Sequence, residues 1–405
     1  MTEAYIVATA RSPIGRARKG SLIGVRPDDL TARMVRATLA KVPSLDPGRI
    51  DDLMVGTGQP AGEQGFNLAR IVAVLAGLDA APGTTVNRYC SSSLQTTRMA
   101  FHAIKAGEGD VFVSAGVESV SRYEHGYSDI AAAENPVFAD AKARTAARGA
   151  AGAAAWTDPR STGALPDPYI AMGQTAENVA QVHGVTRDDQ DAFAAQSQQR
   201  AERAIASGFW ARDIEPVTLD DGTVVASDDG PRPGVTVEAL AGLDPVFRPD
   251  GTVTAGNCCP LNDGAAAVVI VSDRVVDELG LQPLARIVST GVTGLSPEIM
   301  GLGPVEASRQ ALGRAGLTID DIDLVELNEA FAAQVLPSAR ELGIDSDRLN
   351  AFGGAIAVGH PFGMTGARIT STLINGLTET GGRYGLETMC VGGGQGMAMV
   401  LERIR

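Results

Sequence analysis

Hydrophobic and polar positions follow two alternating periods along most of the chain. Short apolar runs rich in β-branched residues are typical of buried strands, and apolar residues three or four positions apart are typical of helices. Strands that alternate with helices of this length predict βαβ units, right-handed connections and a mostly parallel sheet. The elements predicted for residues 1–120 are strands near 4–8, 52–56, 84–86 and 110–116, and helices near 28–42, 66–77 and 91–107.

The alternation stops near residue 121 and returns near residue 261. The intervening segment is rich in Ala, Gly, Pro and Asp, and one helix is predicted in it, from the capping box at Thr186 to Gly208. A long irregular segment in an α/β protein is typical of an insertion that covers a site, with a plain surface excursion as the alternative. After it, strands are predicted at 265–271, 322–327, 388–391 and 397–400, and helices at 304–315, 330–342 and 366–375.

The order of elements in the last third of the chain repeats that in the first third. The strand before Asn328 corresponds to the strand near 52–56, and the strand through Cys390 corresponds to the one near 110–116. The turn ending at His360 then corresponds to the turn ending at Cys90. Two tandem copies of one α/β unit are therefore predicted, with Cys90 and His360 facing each other across a pseudo-two-fold axis.

Composition and charge narrow the function classes. The 405 residues are 44% hydrophobic and carry a formal charge of -14, which disfavours a general nucleic-acid binder. The one basic cluster, between Arg11 and Arg26, is predicted to be a solvated loop, with an anion-binding segment as the alternative. No apolar run reaches the length of a membrane span. Four cysteines make neither a disulfide framework nor a paired zinc site, and the first strand leaves no room for a secretory signal, so a cytoplasmic location is expected.

Three stretches carry candidate chemistry. Cys90 precedes a predicted helix, whose N–H groups and dipole would lower the pKa of the thiol; the alternative is a buried structural cysteine. His360 lies between Gly359 and Pro361, which restrict the backbone and hold the ring in place. The glycines from 392 to 396 are too near the end of the sequence for a nucleotide loop, but they permit close approach of a ligand to backbone N–H groups.

Four blocks taken together resemble the signature motifs of the thiolases, the acyl-CoA C-acyltransferases. They are residues 87–95 (NRYCSSSLQ), 328–331 (NEAF), 359–361 (GHP) and 390–392 (CVG). The resemblance covers nearly the whole chain. It implies an α/β thiolase fold, with two similar α/β halves in a five-layered αβαβα core and an inserted loop domain. The implied domains are 1–120 plus 261–282 for the half with the nucleophile, 121–260 for the insertion over the CoA site, and 283–405 for the second half.

The resemblance also implies roles for individual residues. Cys90 is the nucleophile that accepts the acyl group, His360 takes its proton, and Cys390 is the second acid/base. One oxyanion is held by His360 and a water on Asn328, and the other by the backbone N–H groups of Cys90 and Gly392. CoA and acyl-CoA are substrates, and neither a metal nor a cofactor is implied.

Structural packing is the alternative role for each residue that the resemblance implies to contact CoA. Cys259 stands where many relatives carry a serine that meets pantetheine, so that contact is in doubt. Ala171, Ser93 and Phe362 also depart from frequent family residues and are expected to change the acyl pocket. The implied CoA contacts are Met172, Phe247, Ala255, Cys259 and Phe331 along the pantetheine, and Arg232 near the adenine.

The predicted function is that of a 3-oxoacyl-CoA thiolase, which cleaves its substrate with CoA to acetyl-CoA and a shortened acyl-CoA or runs the reverse Claisen condensation. Fatty-acid or related lipid β-oxidation is the expected setting. The alternatives are a decarboxylating 3-oxoacyl synthase and a non-catalytic thiolase-like protein that binds acyl-CoA or lipid. The resemblance implies a homodimer or homotetramer, with a hydratase/dehydrogenase partner as an option, and no nucleic-acid binding or membrane insertion.

Overall fold

The computed structural model describes residues 2–404, and no helix in that range has the length and apolarity to cross a membrane. Most predicted elements are present, often longer than predicted. In chain order they are β1 (Ala4–Arg11), β2 (Gly15–Arg16), α1 (Pro27–Ala40), β3 (Asp52–Gly56), α2 (Leu68–Leu75), β4 (Gly83–Val86), α3 (Ser92–Ala106), β5 (Val111–Ser119), α4 (Ala139–Arg148), α5 (Met172–His183), α6 (Arg187–Ala206), β6 (Val217–Thr218), β7 (Val224–Val225), α7 (Val237–Ala241), β8 (Asn262–Ser272), α8 (Asp273–Leu279), β9 (Ala285–Gly294), α9 (Gly303–Ala315), β10 (Leu324–Leu327), α10 (Ala332–Leu342), α11 (Ala355–Val358), α12 (Thr365–Thr380), β11 (Tyr384–Val391) and β12 (Gln395–Arg403).

In the strand order β4-β3-β5-β8-β1-β9-β12-β11-β10, the first five strands form the first half and the last four form the second half, with the contact between β1 and β9 dividing them. The two halves meet there through two antiparallel residue pairs, Tyr5 with Arg286 and Ile6 with Ala285. The prediction of a mostly parallel sheet is wrong. Only the outer pairs are parallel, because β8 and β12 return antiparallel beside β5 and β11. A three-residue turn joins β11 to β12, and so tight a connection permits only antiparallel pairing.

Helices form three layers around the two halves of the sheet. Helices α1 and α2 bury residues such as Leu30 and Leu68 on the outer face of the first half. Helices α9 and α10 bury Leu312 and Val335 on the outer face of the second half. Helices α3 and α12 lie between the halves in a shared core. This arrangement confirms the predicted five-layered fold, whereas the exact domain boundaries stay a prediction.

Helices α3 and α12 of the middle layer contact each other through small residues at their first turns. A Cβ atom on Gly366 would lie 2.2 Å from the backbone nitrogen of Leu94, so only glycine permits this approach. The backbone N–H of Ala367 donates to Ser93 Oγ at 2.9 Å. Because Cys90 and His360 come shortly before these first turns, the contact brings the two turns of the repeat together.

The segment 121–260 contains more regular structure than predicted. It carries four helices, α4 to α7, and the small β6–β7 sheet. The capping box that opens α6 is confirmed, with Thr186 Oγ1 accepting from the backbone of Asp189. Helix α5 escaped prediction because it begins after Ala171 without a side-chain N-cap, so the sequence gives no helix-start signal there. Ile205, in the last turn of α6, is 50% exposed.

Candidate active site

Cys90 lies in a 3₁₀ turn, Tyr89–Ser91, between β4 and α3. Tyr89 has φ of 43°, a left-handed conformation that is unfavourable for an aromatic residue, and its N–H donates to Asn87 Oδ1 at 2.7 Å. The turn places Cys90 in the wall of a cavity of about 430 Å³, which Met172, Phe362 and Gly392 also line. A nucleophile on a strained turn beside a cavity is positioned to meet a substrate.

The environment of Cys90 is the reverse of the prediction that its thiol has a low pKa. Burial raises the pKa of Cys90 to about 12, although a hydrogen bond from the Gly392 N–H lowers it, and the Glu118 carboxylate raises it further. Helix α3 begins at Ser92, two residues beyond the thiol, so its dipole does not offset the loss of solvation. Cys90 is therefore a thiol at neutral pH and needs a base.

His360 is held on several sides and is 1% exposed. Its backbone N–H donates to Asn262 Oδ1 at 2.9 Å, and Gly359 before it has φ of 114°. The hydroxyl of Thr365 donates its single hydrogen to the Pro361 carbonyl at 2.7 Å and lies 2.6 Å from His360 Nδ1. Nδ1 must therefore carry the proton and donate to Thr365, which leaves the lone pair on Nε2.

The free nitrogen of His360 points toward Asn328. Asn328 Nδ2 lies 3.3 Å from His360 Nε2, and the amide oxygen of Asn328 accepts from Arg368 Nη2 at 3.4 Å. Burial, and then the charge of Arg368, lower the pKa of His360 to about 3. The imidazole is therefore neutral at physiological pH and keeps a lone pair on one ring nitrogen.

Cys390 is fully buried in β11, in an apolar cluster with Met172, Phe247, Cys259 and Phe331. Burial raises the pKa of the Cys390 thiol, and the charge of Cys90 raises it further. The pKa of Cys259 is raised by burial and then by Cys258, Cys90 and Cys390. The structure thus brings Cys90, Cys259 and Cys390 within electrostatic reach of one another.

Comparison with known proteins decides the family. The family model "Thiolase, N-terminal domain" matches residues 4–274, and "Thiolase, C-terminal domain" matches residues 281–403. The chain belongs to the thiolase family. It is therefore an acyltransferase that acts on CoA and CoA esters, and CoA is a substrate of its family rather than a bound cofactor.

Relatives of this thiolase cover its full length. A 3-ketoacyl-CoA thiolase of Bacillus subtilis (strain 168) is 43% identical over 415 residues, which cover 99% of this chain and 100% of the relative. A beta-ketoadipyl-CoA thiolase of Escherichia coli is 45% identical over 413 residues, which cover 100% of both.

Solved structures of two further thiolases share the fold. The Bacillus anthracis acetyl-CoA acetyltransferase matches with a TM-score of 0.87 and 37% identity, covering 100% of this chain and 99% of that one. Human mitochondrial 3-ketoacyl-CoA thiolase has a TM-score of 0.87 and 35% identity with the same coverage.

The predicted CoA contacts of this thiolase fall into two groups. Met172 lines the cavity, and Phe247 packs edge-on against Phe331 with ring centroids 6.1 Å apart. Cys259 packs in the same apolar cluster, and its N–H donates to the carbonyl of Ala330, the residue before Phe331, at 3.0 Å. By contrast, Ala255 and Arg232 lie exposed on the surface. The main-chain N–H of Arg232 donates to Gln198, and its guanidinium lies near Arg16.

Several residues at the site escaped prediction. Glu118 is fully buried beneath the cavity and accepts hydrogen bonds from the N–H groups of Gly58 at 2.7 Å and Gly363 at 3.0 Å. A carboxylate at the end of an otherwise apolar strand was the available signal. Residues 128–130 of the insertion also line the cavity.

The departures from the family pattern have different structural places. Phe362 lines the cavity, which supports an effect on the acyl pocket. Ser93 instead joins α3 to α12 through the N–H of Ala367.

Across residues 2–404 no group of three or more His, Cys, Asp or Glu is arranged to hold a metal ion.

Proposed function

We propose that this thiolase cleaves 3-oxoacyl-CoA with CoA to acetyl-CoA and a shortened acyl-CoA, and that it serves fatty-acid or related lipid β-oxidation. One observation carries the proposal: Cys90 and Gly392 line one cavity, and the buried Cys390 thiol is within electrostatic reach of Cys90. Relatives named for 3-ketoacyl-CoA and for beta-ketoadipyl-CoA make two acyl classes candidates.

In the first half-reaction, the Cys90 sulfur attacks C3 of the substrate as its proton passes to His360 Nε2. The bond between C2 and C3 then breaks, and Cys390 gives its proton to the departing acetyl-CoA carbanion. The acyl group stays on Cys90 as a thioester. The neutral state of His360 supports its role as base, because a protonated imidazole has no lone pair to offer.

In the second half-reaction, CoA passes its thiol proton to the Cys390 thiolate and attacks the acyl thioester. The shortened acyl-CoA leaves, and Cys90 recovers its proton from His360. The backbone N–H groups of Cys90 and Gly392 both reach Cys90 Sγ, which supports their assignment as donors to the thioester oxyanion. The other oxyanion is assigned to His360 Nε2 and a water on Asn328.

Two alternatives are weaker. A decarboxylating 3-oxoacyl synthase pairs one cysteine with two histidines or with histidine and asparagine, so the second thiol at Cys390 favours thiolysis. A non-catalytic binder has no need for Cys90, His360 and Cys390 together, and this chain retains all three.

The test combines thiolysis with detection of the intermediate. CoA-dependent loss of 3-oxoacyl-CoA is measured across a series of chain lengths, and intact-protein mass spectrometry reports an acyl adduct on Cys90. We expect Cys90→Ser to lose at least about 10³-fold in kcat and to form no stable thioester adduct. Cys258→Ala, which removes a thiol that has no role in the mechanism, is the control. Absence of turnover at every chain length would contradict the proposal.

We also propose that the chain assembles as a homo-oligomer. Phe66 is 95% exposed at φ of 53°, and Val74 on the adjacent α2 is 52% exposed. Strand β4 beside them is an edge of the sheet, and exposed edges and apolar patches favour association. Light scattering should give a dimer or tetramer that Phe66→Asp weakens, and a monomeric wild-type enzyme would refute this. A hydratase/dehydrogenase partner and the cytoplasmic location stay predictions.

A further inference from the structure

The cavity beside Cys90 is lined by apolar residues and by carboxylates. Its apolar lining includes Ile130, Ile170 and Met172, and its polar lining includes the carboxylates of Asp129 and Glu134. Within residues 2–404, the part of the chain that the structure describes, no lysine, arginine or histidine side chain lines it. The cavity wall beside the Cys90 thiol therefore carries two carboxylates, and none of the described residues that line it is a cation.

The two carboxylates differ in their partners. Glu134 forms an ion pair with Lys142, so its charge is largely compensated. Asp129 Oδ2 accepts from the neutral amide of Gln59, and among the described residues no cation pairs with it. Gln59 is held in this orientation because its oxygen accepts from Ser128 Oγ at 2.8 Å. Asp129 is thus a solvent-exposed carboxylate in the cavity lining that has an amide, and no described cation, as its side-chain partner.

The charge of Asp129 reaches the nucleophile's turn. Burial and then the charge of Asp129 raise the pKa of Tyr89, the residue before Cys90. From beneath, Glu118 raises the pKa of Cys90 itself. Both carboxyl groups therefore act on the turn that carries Cys90.

The cation nearest to Cys90 in the sequence does not neutralise the carboxylate of Asp129. Arg88 lies two residues before Cys90, but its guanidinium donates to Gln95 Oε1 at 2.9 Å and to Gln395 Oε1 at 2.7 Å. These bonds hold Arg88 against amides on the far side of the turn. A terminal carboxylate on the acyl chain would thus meet like charge and lose solvent without gaining a partner.

We propose that this cavity selects acyl groups with an uncharged far end and rejects those that end in a carboxylate. The inference rests on the proposed thiolase function and specifies its substrate class: neutral 3-oxoacyl-CoA rather than the CoA esters of 3-oxo dicarboxylic acids. Asp129 is the residue that we assign to this selection.

The experiment compares two substrates of equal carbon number. 3-Oxohexanoyl-CoA leaves a butyryl group on Cys90, and 3-oxoadipyl-CoA leaves a succinyl group, which differs in its terminal carboxylate. We expect kcat/KM for the neutral substrate to be larger by about tenfold or more, given one uncompensated like-charge contact near solvent. Butyryl-CoA and succinyl-CoA, tested for acylation of Cys90 by intact-protein mass spectrometry, should show the same order.

A substitution assigns the effect to Asp129. In Asp129→Asn, the ratio of kcat/KM between the two substrates should shift toward 3-oxoadipyl-CoA by about three- to tenfold. Asp277→Asn is the matched control, since it removes the same charge from the exposed surface of α8 and should leave the ratio unchanged.

The outcomes are distinguishable. Equal or faster cleavage of 3-oxoadipyl-CoA overturns the inference while supporting thiolase activity. An unchanged ratio in Asp129→Asn overturns the role of Asp129. If neither 3-oxo substrate is cleaved, the proposed function fails; the inference fails as well if succinyl-CoA acylates Cys90 as readily as butyryl-CoA.

Discussion

The turns that carry Cys90 and His360 occupy equivalent places in the two copies of the repeat, yet their surroundings differ. Cys90 lines the cavity on a turn with a left-handed Tyr89. His360 is enclosed, with its backbone fixed by Asn262 of the other half and its ring by Thr365. The repeat supplies the positions, and residues that do not repeat supply the chemistry.

The charges beneath the two turns are opposite as well. The Glu118 carboxylate raises the pKa of Cys90, and the Arg368 guanidinium lowers the pKa of His360. Burial disfavours the charged form of both residues, so it raises the pKa of Cys90 and lowers the pKa of His360. Both residues are therefore neutral at rest, and we expect proton transfer from Cys90 to His360 to accompany attack on the substrate.

Removal of the base should give the largest change. We expect His360→Ala to lower the acylation rate by about 10²- to 10⁴-fold, since general-base catalysis contributes that much. Stopped-flow acylation of Cys90 measures it. The Ala variant should retain its far-ultraviolet circular dichroism, and a rate within threefold of wild type would contradict the assignment of His360 as base.

The pH dependence of stability should separate the two turns. The lowered pKa of His360 means that the unfolded chain binds this proton first, so stability is lost as pH falls from about 6.5 toward about 3. Between pH 6.5 and 5.0 this amounts to up to about 2 kcal/mol. Urea unfolding should show a smaller loss in His360→Gln over the same interval.

The contribution of Cys90 to stability should have the opposite dependence on pH. Its raised pKa means that stability is lost as pH rises from about 9 toward about 12. Cys90→Ala should flatten that alkaline loss and leave the acid side unchanged. If Cys90→Ala instead reduced the loss of stability at acidic pH, the assignment of opposite pH dependences to the two turns would be wrong.

The smallest change concerns the orientation of the imidazole. Thr365→Val removes the acceptor of the His360 Nδ1 proton, so we expect kcat to fall about tenfold, the cost of one unpaired buried donor. Thr372→Val is the matched control, because that buried hydroxyl bonds only within α12 at the Arg368 carbonyl. Equal rates in the two variants would show that Thr365 does not orient the ring.

Local patterns predicted the elements and the repeat well. Strand and helix periods depend on neighbouring residues, so the order of the two copies was visible without contacts. The insertion was harder to predict, because α5 begins after Ala171 without a side-chain N-cap, whereas α6 begins with a capping box at Thr186. Arg11 was wrongly predicted to lie in a solvated loop. It is fully buried at the end of β1, and its ion-pair partner Asp228 lies 217 positions away along the chain.

The sequence by itself determined the fold class, the thiolase motifs and the pairing of Cys90 with His360 in equivalent turns. Tertiary structure alone decided the direction of the Cys90 pKa, the tautomer of His360 and the charge of the acyl cavity. The physical reason is that motifs are local, whereas solvation and charge sum over residues brought together by folding, such as Glu118, Asp129 and Arg368. Cys90, for which a lowered pKa was predicted, is therefore a buried thiol whose pKa is raised by burial and by Glu118.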